Sequence, residues 1–113
     1  MSERDPVVVL ITFPVDNDVE EFAANLVSEG IVACVTILSG VDSIYRWAGQ
    51  VERTKERQLL VKTTADRVNH LESRVAELHP YDVPELLVLP VLGGDERYLA
   101  WIKRAVNHEG SEV

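Results

Sequence analysis

Five consecutive aliphatic positions, Val7 to Ile11, open the hydrophobic pattern of the chain, and the strand they suggest stops at Pro14. An unbroken run of that length, rich in β-branched residues, predicts a buried strand. The period then changes. Val19, Phe22, Ala23, Leu26 and Val27 recur at helical spacing and share one face. Asn17 with Glu20 three residues on has capping-box spacing, and Gly30 is placed to end this helix in a left-handed turn. Ile31 to Leu38 is apolar except at Thr36, which restores strand, and the pattern weakens at Gly40, where a bulge is expected. Residues 48–50, "AGQ", read as a reversal into a partner strand that recovers at "QLLVKT", so 31–64 forms one long, bent hairpin. Val68, Leu71, Val75 and Leu78 line one face of a second helix over 64–78. "LLVLPVL" is the last strand, closed by Gly93 and Gly94. Asp95 then caps a final helix whose Tyr98, Leu99, Ile102 and Val106 share a face.

The order β-α-β-β-α-β plus a terminal helix is that of an α+β ferredoxin-like split βαβ domain. With 113 residues the chain is expected to form one domain, 1–113. Two helices cover one face of such a sheet, so the other face of a solitary sheet should be polar. Here "VVVLI", "IVACV", "LLV" and "LLVLPVL" are apolar at positions pointing both ways. A third helix cannot cover a whole face, and a second copy of the chain is the simplest cover. The pattern predicts a homo-oligomer.

Charge narrows the partners. Eleven basic against 19 acidic residues give a net charge of −8, which disfavours nucleic acid and anionic membrane, since phosphates need clustered Lys and Arg. Cys34 is the only cysteine, so no intramolecular disulfide forms. The charged start "MSERDP" precedes an apolar run too short for a signal or a membrane span, and the expected location is cytoplasmic. No phosphate loop, nucleophile elbow or zinc-hydrolase motif occurs, which argues against an enzyme.

The densest chemistry lies in "LHPYDVPE", where His79, Tyr81, Asp82 and Glu85 fall within seven positions. Three readings stand: a rigid passage from helix to strand, contact with a small ligand, or a metal site. Pro80 pushes His79 out of helical geometry, and Pro84 begins a strand where no ladder donor is needed, which suits the first. Imidazole and carboxylate suit copper or zinc, but a selective site needs three or four converging ligands. Cys34, mid-strand among apolar neighbours, reads as a small buried hydrophobe, with capture of a soft metal as the alternative. Tyr45, Arg46 and Trp47 are placed to anchor an interface or stack on a ligand. Lys62 interrupts an apolar strand and needs a partner, for which Glu85 is the candidate. His70 and His108 are isolated and expected to be solvated, and Asp16, Asp18, Glu20 and Glu21 read as a helix start.

Taken in order, "GIVACVTILSGVDSIYRWAGQVE", "LVKT", "HPYDVPELLVLPV" and "GGDERYLAWI" resemble the CutA family of divalent-cation tolerance proteins over residues 7 to 104. The resemblance implies a homotrimer in which strands of neighbouring subunits extend one another's sheets, with clefts between subunits like those of the nitrogen-regulatory trimers. It implies a role in divalent-cation, chiefly copper, tolerance; the expectation for this chain is weak metal binding with His79 and Cys34 as the candidate ligands and no obligatory cofactor. The alternative it carries is a signalling or binding module. In that reading Arg46, Trp47, Lys62, His79, Tyr81 and Glu85 line inter-subunit clefts that take a small molecule or a partner peptide. Metal-binding members use a cysteine on the first strand and two adjacent histidines. The matching positions here are Ile11, Leu78 and His79, so two of those three ligands are missing.

Overall fold

The computed structural model describes residues 2–106. Strand β1 (Pro6–Pro14) leads into helix α1 (Val19–Ser28), and β2 (Cys34–Trp47) and β3 (Gln50–Thr64) form the long hairpin. A 3-10 turn (Ala65–Arg67) opens into α2 (Val68–Leu78), followed by β4 (Leu87–Pro90) and α3 (Glu96–Ala105). The strands lie in the order β2-β3-β1-β4 with every neighbouring pair antiparallel. This is the expected ferredoxin-like α+β arrangement.

Alternation along β1 divides the sheet into two environments. Val7, Val9, Ile11 and Phe13 meet Leu59 and Val61 of β3, Val19, Phe22 and Leu26 of α1, and Leu71 and Val75 of α2 in one core. The intervening Val8 and Leu10 are only half-buried, on the opposite face with Leu60 and the exposed Leu87 and Leu89. Part of that second face is covered by α3, where Ile102 and Val106 pack against Ala33 and Cys34. Asp95 caps α3 by accepting hydrogen bonds from the backbone N–H groups of Arg97 and Tyr98 at 2.9 and 3.1 Å.

Three local expectations shift. The cap of α1 is Asp18, which accepts from the Glu21 N–H at 3.2 Å, because the helix starts one residue later than Asn17 allows. The 3-10 turn delays α2 to Val68. Strand β4 spans four residues instead of seven, since its pairing with β1 runs only from Leu87 to Pro90. Among the histidines, His70 is exposed as expected, and His108 lies outside the described residues.

The hairpin carries the feature that shapes the rest. Its ladder shifts register between Leu38, opposite Gln58, and Val41, opposite Glu56, so β2 holds one residue more than β3 there. Gly40 supplies the left-handed backbone the bulge uses, with φ of 75°. An extra residue moves every later side chain to the other face. Ser43, Tyr45 and Trp47 thereby share a face with Glu56, while Asp42, Ile44 and Arg46 point away. The reversal is a two-residue turn, Ala48 and Gly49, with φ of 51° and 79°, the type I′ pattern.

Ala48 holds a left-handed conformation that glycine adopts freely. Ala48→Gly is therefore expected to stabilise the fold by about 1 kcal/mol, read as a raised denaturant midpoint at unchanged slope.

Candidate functional site

A cavity of about 520 Å³ lies between the hairpin and the loop after α2. Its strand side is built by Thr12 of β1, Ser43, Tyr45 and Trp47 of β2, and Glu56 of β3. Its loop side is built by Tyr81, Asp82, Val83 and Glu85. The bulge at Gly40 delivers the three β2 residues to this face, and the hydroxyls of Tyr45 and Thr54 lie 2.8 Å apart, fixing that ring along the hairpin.

Three polar contacts hold the loop over the strands. Buried His79 donates from Nε2 to the Thr12 carbonyl at 2.6 Å, and its Nδ1 accepts from the Tyr81 backbone N–H at 3.1 Å. The Tyr81 hydroxyl donates to Glu56 at 3.0 Å. Gln58 donates to Glu85 at 3.0 Å and to the Ile11 carbonyl at 3.1 Å. The His79 ring also stacks between Phe13 and Tyr81, with centroids 4.2 and 4.9 Å away. Its backbone is extended, ψ 137°, as the following Pro80 requires, and its N–H closes α2 on the Val75 carbonyl at 2.8 Å.

The structure thus divides the sequence candidates. Trp47, Tyr81, Asp82 and Glu85 come together at the cavity. His79 supports the wall from behind, with both ring nitrogens engaged inside the subunit. Arg46 projects from the opposite face of the hairpin, one ladder position from Trp47. Lys62 sits four residues along β3 from Gln58, a separation of about 13 Å. The expected Lys62–Glu85 pair therefore does not form. Lys62 donates to the Thr36 hydroxyl at 2.5 Å, and Glu85 takes Gln58 instead. Cys34 is half-buried and not only among apolar neighbours, because Lys62 lies across the ladder with Nζ 4.0 Å from Sγ. It stands on the Lys62 rung, well away from His79 on the Thr12 rung. Among the described residues no three His, Cys, Asp or Glu side chains cluster as a metal group. Thr12, Ser43 and Glu56 were not singled out from sequence. The signal that could have found Glu56 is its position three residues before the apolar "LLV", in a strand whose later residues are core.

These features agree with the comparisons. The model of the CutA1 divalent ion tolerance protein family matches residues 7–105. The chain belongs to the CutA family. A divalent-cation tolerance protein CutA of Pectobacterium atrosepticum is 42% identical over 109 residues, covering 94% of this chain and 99% of the relative. The solved structure of the divalent cation tolerance protein Cut A1 from Thermus thermophilus has a TM-score of 0.86 at 44% identity, covering 90% of this chain and 99% of that one. A Nostoc protein described as PII-like CutA, solved in apo form, has a TM-score of 0.81 at 34% identity, over 89% of this chain and 97% of its own. These relatives place the CutA fold across the whole of the region that builds the cavity.

Burial first, then the hydrogen bond to Glu56 and that carboxylate's charge, push the Tyr81 phenol up from 10 to about 12. A raised phenol means the folded state holds its proton longer than the unfolded chain. The stabilisation is fully present below pH 10 and is lost as pH climbs from 10 through about 12. Wild type is expected to lose melting temperature across that window more steeply than Tyr81→Phe, by a difference of about 1 kcal/mol once screening by solvent around the half-exposed phenol is allowed for. Parallel loss in both proteins would contradict it.

Proposed function

We propose that this protein serves divalent-cation tolerance as a cytoplasmic homotrimer that works by binding a small ligand at the hairpin–loop cavity, with only weak contact to copper or other metals. The observation that carries the reading is the contrast between two parts of one loop. His79, the sequence candidate for a metal ligand, has no free ring nitrogen, whereas Tyr81, Asp82 and Glu85 line open space. Capturing a metal at His79 means giving up the bond to the Thr12 carbonyl or to the Tyr81 N–H, and a buried group left without its partner costs about 1–3 kcal/mol. The positions that complete the metal site of other CutA members are Ile11, which is buried in the core, and Leu78, which carries no ligand atom.

The trimer is supported by what one subunit leaves uncovered. Ile44 and Val51 on one hairpin face are 67% and 69% exposed, and Leu87 on edge strand β4 is 56% exposed. Apolar side chains gathered on an open-edged sheet mark an association surface. In a trimer the long hairpin of one subunit would reach its neighbour, and the cavity would open toward that contact.

Two outcomes are expected. In sedimentation the protein runs as a species of three 12.7 kDa chains, and Ile44→Lys with Val51→Glu shifts it to smaller species; a monomeric wild type would sink the trimer. In copper(II) calorimetry, wild type and His79→Ala bind weakly and within about twofold of each other. His79→Ala also loses about 2–4 kcal/mol of stability, from its hydrogen bonds and ring packing. Tight binding by wild type that vanishes in the variant would restore direct metal capture.

A further inference from the structure

We propose that the hairpin–loop cavity selects an organic cation with N–H donors, an alkyl- or arylammonium or a guanidinium carried on an apolar body; this rests on the ligand-cavity reading above. The lining holds three carboxylates, Glu56, Asp82 and Glu85, and no Lys, Arg or His. None of the three enters an ion pair among the described residues. Glu56 and Glu85 each accept a hydrogen bond, from Tyr81 and Gln58, but both donors are neutral and leave the charge uncompensated. Two half-buried arginines elsewhere are paired with carboxylates: Arg57 with Glu20 and Arg74 with Glu29.

Two buried residues with polar side chains line the same cavity. Thr12 is 6% exposed and lines the cavity, and its hydroxyl has no partner among the described residues. Glu56 is 5% exposed and lines the cavity, and among the described residues only its Oε2 takes a hydrogen bond. A carboxylate oxygen and a hydroxyl that have no hydrogen bond within the chain and line an open cavity can take a donor from outside. An N–H cation supplies both the donors and the missing charge.

The remaining lining decides between a metal and an organic cation. A hard metal ion needs several oxygens converging at short range, and no such group of carboxylates forms among the described residues. The three carboxylates instead share a cavity with three aromatic side chains, Tyr45, Trp47 and Tyr81. Aromatic faces attract ammonium and guanidinium and accommodate an apolar body. A volume of about 520 Å³ suits a small organic molecule, not a bare ion.

The test uses three probes of one shape and different charge on the intact protein: phenethylammonium, 2-phenylethanol and phenylacetate. Trp47 fluorescence and calorimetry report binding. Saturable binding is expected for the ammonium, with the alcohol about tenfold weaker and the carboxylate not bound. Asp82→Asn and Glu85→Gln, which keep shape and fold, are each expected to weaken the ammonium about tenfold and leave the alcohol unchanged. Equal affinity for ammonium and alcohol would overturn the cation assignment while leaving a ligand cavity in place. Displacement of the ammonium by equimolar copper(II) or magnesium would also overturn it, giving the carboxylates to a metal. Failure of all three probes to bind would remove the cavity reading itself.

Discussion

The hydrogen bond from His79 to the Thr12 carbonyl is the contact on which the site depends. It ties the end of α2 to β1 across 67 residues of chain and sets where the loop begins. Tyr81 and Gln58 extend the same job to the middle and far end of the loop, through Glu56 and Glu85. All three ties are neutral-donor bonds to oxygens, two of them carboxylates, so the loop is fixed without neutralising the charge it encloses. A salt bridge in any of these places would have closed the wall equally well and discharged the cavity.

Much of the fold is legible because hydrophobic period and punctuation agree. Pro14, Gly30, Pro80 and Asp95 stand at or beside element boundaries, and the helical faces of α1 and α2 carry the core residues the period selects. The bulge at Gly40 was also legible, but its consequence was not. One extra residue in β2 decides that Tyr45 and Trp47 face the loop while Arg46 faces away. Read as three adjacent polar or aromatic positions, they look like one anchor, and only register separates them. The same limit explains Lys62 and Glu85. Both need partners, but ladder position, which sequence spacing does not give, puts Thr36 beside one and Gln58 beside the other.

His79 was legible as important, with a rigid passage, a ligand contact and a metal site as its three readings, and its hydrogen bonds favour the first. An imidazole next to carboxylates suggests a ligand to metal when its hydrogen bonds are unknown. Burial between Phe13 and Tyr81, with a carbonyl on one nitrogen and an N–H on the other, makes it a structural hinge pin instead. Ile11 and Leu78 fit this shift of role. The resemblance puts soft ligands at those positions in metal-binding CutA members, whereas here Ile11 fills the core and Leu78 offers only hydrocarbon.

Net charge and local charge then fit together. A chain at −8 could spread its surplus carboxylates over solvated helix faces, where they cost little. Much of the paired charge does lie on such surfaces, with Asp42 held by Lys55 and Arg53 at the hairpin and its carboxyl lowered by them. Glu56 breaks that pattern. It is buried, bonded among the described residues only to a phenol, and lines the same cavity as Asp82 and Glu85. Burying a carboxylate with one neutral donor is costly, and a glutamine would make the same bond to Tyr81 without the charge. The fold therefore does not need the charge at this position. What needs it is whatever fills the space in front of it.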